Sequence, residues 1–169
     1  YGDYTTEEAF GKAFENSNVK RGKIQLITKC GIQYLSEKRN NRVKHYNYSK
    51  DYIIWSVEES LKNLKTDYID ALLLHRPSPL MHPQEIMEAV VKLVRQGKIN
   101  EFGVSNFTPS QIELIMSEVP VTINQIEFSL TNNIAMHNGT LDQCLLKKMT
   151  PMAWSPLGSV FSEDTEQTR

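Results

Sequence analysis

An α/β fold built on a parallel sheet is predicted by three observations. Apolar strands alternate with amphipathic helices at least five times, and the connections between strands are long enough to hold a helix. One strand, within IDALLLHRPSP at residues 69–79, has four apolar residues in an unbroken run. Helix-length crossovers give parallel strands with right-handed connections, and a continuous apolar run marks a strand covered on both faces. The 169 residues suffice for a real core and read as one domain, residues 1–169. A barrel of eight strand–helix units needs about 200–250 residues. Pattern alone therefore leaves a barrel missing its ends and a complete smaller open sheet both standing.

Taken in order, Tyr1-Gly2 reads as a strand-to-helix turn whose strand lies upstream. The first residue is Tyr rather than Met, so the chain reads as a piece of a longer sequence. Thr5 and Glu8 have capping-box spacing, and Ala9, Phe10, Ala13 and Phe14 form the apolar face of a short helix. Residues 23–28, KIQLIT, are a strand that ends at Lys29. Residues 33–48 are polar, basic and aperiodic, and read as a long mobile loop on the Lys29 rim. A helix begins near Ser49 or Asp51 with Ile54, Val57, Leu61 and Leu64 inward. The apolar strand follows and runs into His75, where Arg76 and Pro77 stop the ladder.

Residues 84–96 form the next helix, burying Ile86, Val90, Leu93 and Val94 and stopping at Gly97. Strand 99–104 ends in Ser105-Asn106. Thr108-Pro109-Ser110-Gln111 then joins an N-cap, a proline at the first helical position and a capping-box glutamine. Strand 121–126 carries Gln125, a short helix covers 142–148, and strand 151–154 ends at Trp154. The polar tail, 162–169, reads as disordered or cut off.

Composition removes several function classes. A net charge of −1 gives no basic surface for nucleic acid and no polybasic membrane patch. No apolar run approaches the roughly 20 residues that span a bilayer, and no signal-peptide pattern opens the chain. Cys30 and Cys144 lie far apart without a paired motif, so a reduced, cytoplasmic protein is the simplest expectation. No H-x-x-x-H or C-x-x-C spacing suggests a metal site, and no serine or cysteine nucleophile triad is visible.

What remains is the ends of the strands. Tyr1, Lys29, His75, Ser105 with Asn106, Gln125, and Trp154 with Ser155 all terminate strands. A parallel sheet gathers such positions at one rim, where α/β proteins carry their sites. A phenol, an ammonium and an imidazole together suit acid catalysis on a carbonyl. The ammonium lowers the tyrosine pKa from its ordinary value near 10, and a histidine N–H can hold the growing oxyanion.

These residues sit in six motifs, in order: YG at Tyr1, ITKCG around Lys29, LLLHRPSPLM around His75, GVSNF from Gly103, NQIE from Asn124 and MAWSPLGS from Met152. With them the chain resembles the aldo-keto reductases over nearly its whole length, and HRPSPLM followed by GVSNFTPSQ is most similar to the YdhF-like bacterial oxidoreductases. The resemblance implies a (β/α)8 TIM barrel, of which the chain covers roughly the end of strand 2 through strand 7. It implies hydride transfer from NADPH to a small aldehyde or ketone. Tyr1 is then the general acid, Lys29 lowers its pKa, and His75 orients the substrate. Ser105, Asn106 and Gln125 match positions that bind the nicotinamide carboxamide, and Trp154 matches the aromatic that stacks on the ring. Ser155, Leu157, Gly158 and Ser159 fall where a loop meets the pyrophosphate. The family's aspartate partner for the lysine stands five residues before the tyrosine, and its 2′-phosphate residues follow the eighth strand.

Plainer readings stand beside these. Tyr1 is a chain terminus, Lys29 a strand-end lysine, Ser105 and Asn106 turn formers, Gln125 a buried amide and Trp154 a core aromatic. Cys30 is either an activated thiol beside Lys29 or an inert buried one. The basic residues of 38–50 are a solvated loop or a flap over cofactor. A second function on the same scaffold is a non-catalytic regulatory subunit resembling the potassium-channel β subunits, which typically carry asparagine where this chain has His75; a third is a remnant without cofactor.

Overall fold

The computed structural model describes residues 2–37 and 39–161. Tyr1, and with it the proposed acid, lies outside the described residues, as does the tail at 162–169. Five strands, β1 (Ile27–Cys30), β4 (Ile69–Leu74), β5 (Ile99–Ser105), β6 (Ile123–Glu127) and β7 (Thr150–Trp154), form one sheet in the order β1-β4-β5-β6-β7. Every neighbouring pair is parallel. Helices α2 (Lys50–Leu64), α3 (Pro83–Arg95), α4 (Pro109–Met116) and α5 (Thr140–Lys147) make the crossovers, and α1 (Thr6–Glu15) precedes β1.

The apolar run of β4 divides between two faces because successive side chains alternate. Leu72 and Leu74 join Phe102 and Val104 of β5 in a core closed by Ile53 and Val57 of α2, Ile86 and Leu93 of α3, and Ile112 and Ile115 of α4. Ala71 and Leu73 turn the other way and pack with Ile123 and Met152. Full burial of a leucine is worth about 1.5–3 kcal/mol, so β4, with Leu72, Leu73 and Leu74 at 0 % exposure, anchors the packing on both faces of the sheet.

Local signals set most helix ends. At α4 the capping box is complete: Gln111 N–H donates to Thr108 Oγ1 at 3.4 Å, and Thr108 N–H donates to Gln111 Oε1 at 2.9 Å. Ser49 caps α2 by accepting from Tyr52 N–H, and Gly97 follows α3 at φ +68°. Val94, expected inward, is 46 % exposed, and Ala89 takes the buried position instead.

Four further expectations are corrected. Thr5 and Glu8 form no capping box. Thr5 has helical backbone angles rather than the extended ones a cap needs, and its hydroxyl donates to the Gly2 carbonyl at 2.5 Å. The face of α1 that meets the protein is centred on Gly11, not on Phe10, which is 39 % exposed. A Cβ on Gly11 would sit 2.0 Å from the Asn63 carbonyl of α2, so the absence of a side chain lets the two helices touch. Residues 33–48 are not wholly irregular: β2 (Ile32–Gln33) and β3 (His45–Tyr46) pair antiparallel, and Ser36 bridges Asn41. The first strand also begins later than expected, because Arg21–Lys23 forms a 3-10 turn.

That turn presents Arg21 to the amino end of the sheet. Its guanidinium bonds Asp70 Oδ2 at 2.6 Å, the carbonyls of Ile24 and Tyr68, and Thr66 Oγ1. Asp70 also accepts from Leu26 N–H at 2.8 Å, which ties β4 to the residue leading into β1.

Candidate active site

At the carboxyl ends of the strands, Lys29 lies in register with Leu73 of β4, and His75 N–H donates to the Cys30 carbonyl at 2.9 Å. Adjacent parallel strands thus deliver the amine and the imidazole to one rim, and both line a cavity of about 440 Å³ with Tyr4, Tyr34, Arg39 and Tyr52. The cavity continues down the open side of β1 to Phe10 and Leu64. Burial, then the charges of Lys29 and Arg76, push the His75 pKa down to about 4, so its imidazole is neutral at pH 7. Burial, then Arg76, also holds Lys29 below the ordinary lysine value. The Lys29 charge is thus close enough to perturb His75, and that of Arg76 to perturb both, the condition in which proton-handling sites are found.

The turn that bears His75 is fixed from behind by Tyr48, which is 5 % exposed. Its phenol donates to the Arg76 carbonyl and accepts from Arg76 N–H at 3.2 Å. Gly31 makes room for that ring at φ +106°: a Cβ there would lie 1.8 Å from Tyr48. Cys30 beside it is a closed, 4 %-exposed thiol whose pKa burial raises to about 12, which decides for the inert reading.

A second group assembles on β5, β6 and β7. Asn106 adopts φ +58°, a region asparagine tolerates. Its Nδ2 donates to Ser105 Oγ at 2.9 Å, and its Oδ1 accepts from Trp154 Nε1 at 2.9 Å. The indole plane is therefore set by a residue 48 positions away. Gln125 is in register with both Ser105 and Met152, and its amide makes only a long 3.4 Å contact to the Met152 sulfur. Ser155 and Gly158 take positive φ in a turn closed by Gly158 N–H to Ser155 O at 2.7 Å. That turn seats on the loop after β6, where Ser159 N–H donates to Thr131 Oγ1 and a Cβ on Gly158 would meet the same oxygen at 2.0 Å. Leu157 is 53 % exposed.

The structure thus joins Lys29 with His75, links Ser105, Asn106 and Trp154 by hydrogen bonds, and sets Gln125 beside them. The 155–159 turn stands apart, against Ser129 and Thr131. Sequence reasoning missed Tyr48 and Arg76. An arginine directly after a strand-end histidine was signal enough for the second; nothing local marked the first. His45, His82 and His137 are exposed, and none of them lines the cavity that holds Lys29 and His75. Among the described residues no group of three or more His, Cys, Asp or Glu is placed to hold a metal ion.

A parallel α/β scaffold with a basic, aromatic-lined rim at the carboxyl ends of its strands defines the class: the barrel proteins that work from that end. The aldo/keto reductase family model matches residues 1–169, and the chain belongs to that family. It is 49% identical to the uncharacterized oxidoreductase YcsN of Bacillus subtilis, with 100% of this chain and 58% of that protein aligned. It is 43% identical to the oxidoreductase YdhF of Escherichia coli over 97% of this chain and 56% of that one, in keeping with the YdhF-like resemblance. The glycerol dehydrogenase AKR11B4 of Gluconobacter oxydans superposes with a TM-score of 0.78 at 26% identity, over 87% of this chain and 44% of that structure. The five strands are part of the (β/α)8 barrel, not an open sheet, and the chain spans about half the length of the curated relatives it matches.

Proposed function

We propose that the protein reduces a small aldehyde or ketone by hydride transfer from NADPH, with Tyr1 as the general acid. Residues 1–169 act as one domain in this reading, in the cytoplasm; among the described residues no helix is long and apolar enough to cross a membrane. The observation that carries it is the convergence of Lys29 and a neutral His75 at one rim. Lys29 favours the phenolate of Tyr1 and so eases release of its proton to the carbonyl oxygen. His75, uncharged, offers a ring N–H that holds the same oxygen as negative charge grows on it.

The donor set suits a nicotinamide. Trp154 has its plane fixed through Nε1, as a stacking platform requires. Asn106 keeps one amide proton and one carbonyl lone pair beyond the bonds it makes, and Gln125 gives up only a weak thioether contact. When bound, the nicotinamide supplies the hydride. Ser105, Asn106 and Gln125 hold its carboxamide, Trp154 backs its ring, and Ser155, Leu157, Gly158 and Ser159 meet the pyrophosphate. The regulatory-subunit reading predicts asparagine at position 75, and the histidine there favours the reductase.

The test is Tyr1→Phe, assayed by NADPH oxidation with simple aldehydes. Turnover falls about 10²–10⁴-fold, while NADPH still quenches Trp154 fluorescence in a Trp55→Phe background. Undiminished turnover in the variant removes Tyr1 as the acid.

A further inference from the structure

We propose that Arg76 selects the substrate by taking a carboxylate or phosphate group carried by the carbonyl compound. This rests on the reductase reading of the rim and adds the class of compound that fits it. Arg76 directly follows His75, and Tyr48 holds both its main-chain N–H and its carbonyl, so the side chain starts from a fixed point. Its guanidinium lies 5.8 Å from the centre of the Trp154 ring. Trp154 ends β7, three strands along from β4, a separation of about 14 Å at ordinary strand spacing. The arginine therefore reaches across the ends of β5 and β6, over the rim where Ser105 and Gln125 also end.

The charge there is not compensated from within the described residues. Arg21, the half-buried arginine at the other end of β4, has the Asp70 carboxylate at 2.6 Å. Arg76 is also half-buried, yet no carboxylate of a described residue lies within ion-pair distance of it. Its near neighbours are instead basic: its field is felt at both Lys29 and His75. A guanidinium cannot shed its proton to relieve that crowding, and its planar fork matches carboxylate and phosphate oxygens two at a time. An anion beside the reacting carbonyl supplies the missing partner. A purely structural role, stacking to orient Trp154, treats charged and uncharged substrates alike, and this separates the two.

The experiment compares 4-oxobutanoate with its methyl ester, which keeps the aldehyde and removes the charge, on the unmodified protein, Arg76→Met and Arg76→Lys. The unmodified protein prefers the anion by roughly 10- to 100-fold in kcat/KM, mostly through KM, as for a charged hydrogen-bond pair. Arg76→Met brings the ratio of the two compounds close to one, and Arg76→Lys restores part of it. No preference in the unmodified protein, or an equal loss for both compounds in Arg76→Met, overturns the proposal while leaving the reductase reading intact. Succinate, titrated calorimetrically, reads the same contact without turnover. If no aldehyde is reduced, the reductase reading fails, and succinate binding lost in Arg76→Met still supports an anion site, whereas absence of succinate binding to the unmodified protein ends it.

Discussion

The two ends of the β1–β4 pair each carry an arginine, and they treat it in opposite ways. At the amino end Arg21 spreads its bonds over Asp70, two carbonyls and a hydroxyl, and its guanidinium covers the Tyr68 ring at 3.9 Å. At the carboxyl end Arg76 meets an indole and two basic groups whose pKa values it helps to depress. A satisfied cation fixes strands in place. One held among groups of like sign leaves interaction free energy to be realised by whatever binds next, which is why perturbed groups collect at working sites. The compensated arginine and the uncompensated one are thus separated by the length of one strand.

Substitutions at the two ends should behave differently, and the largest effect belongs to the carboxyl end. Lys29→Met lowers turnover by about 10²–10³-fold, because it removes the charge that favours the Tyr1 phenolate. A variant that melts early but retains its rate would erase the distinction. Next is Asp70→Asn at the amino end, expected to cost about 1–3 kcal/mol in urea denaturation, with turnover per folded molecule unchanged.

A third effect is read in acid. Burial tends to raise the Asp70 pKa, but the Leu26 N–H, the Arg21 hydrogen bond and the Arg21 charge outweigh it, so the value is lowered. The stability it contributes is complete above the unfolded aspartate value of about 4 and is lost below it. His75, at about 4 against an ordinary 6.5, is neutral in the fold and takes up a proton on unfolding through the interval between. Stability therefore falls as pH drops from 6.5 towards 4, before the Asp70 loss begins. Chemical denaturation across this range shows both stages, and His75→Gln removes only the upper one.

The same four-residue spacing succeeded once and failed once, and the pair shows what a sequence can carry. Thr108 caps α4 because it is extended and followed by a proline that presets the first helical turn. Thr5 follows Asp3 and Tyr4, both at positive φ, and arrives already helical. The parallel sheet was legible because the β4 run and the helix periodicities are long. The β2–β3 pairing was not, since two-residue strands carry no period. Lys29, His75 and Trp154 could be placed at strand ends from residue type alone. The Arg21–Asp70 pair joins residues 49 apart, although an aspartate inside a buried strand did signal that a partner was needed. The Tyr48 bonds to Arg76 and the Trp154–Asn106 bond depend on packing between distant segments, which no local window contains.

One phenol closing both main-chain groups of Arg76 has a further consequence. The peptide that follows the imidazole is kept from flipping, so its dipole, like the guanidinium beyond it, points one way before any ligand arrives. Tyr48 itself stands between β3 and the first turn of α2, next to the Asn47 amide that bonds Gly31 O at 2.8 Å. The small hairpin is therefore mechanically geared to the rim. Through Tyr48, the hairpin and the peptide that bears Arg76 share one anchor.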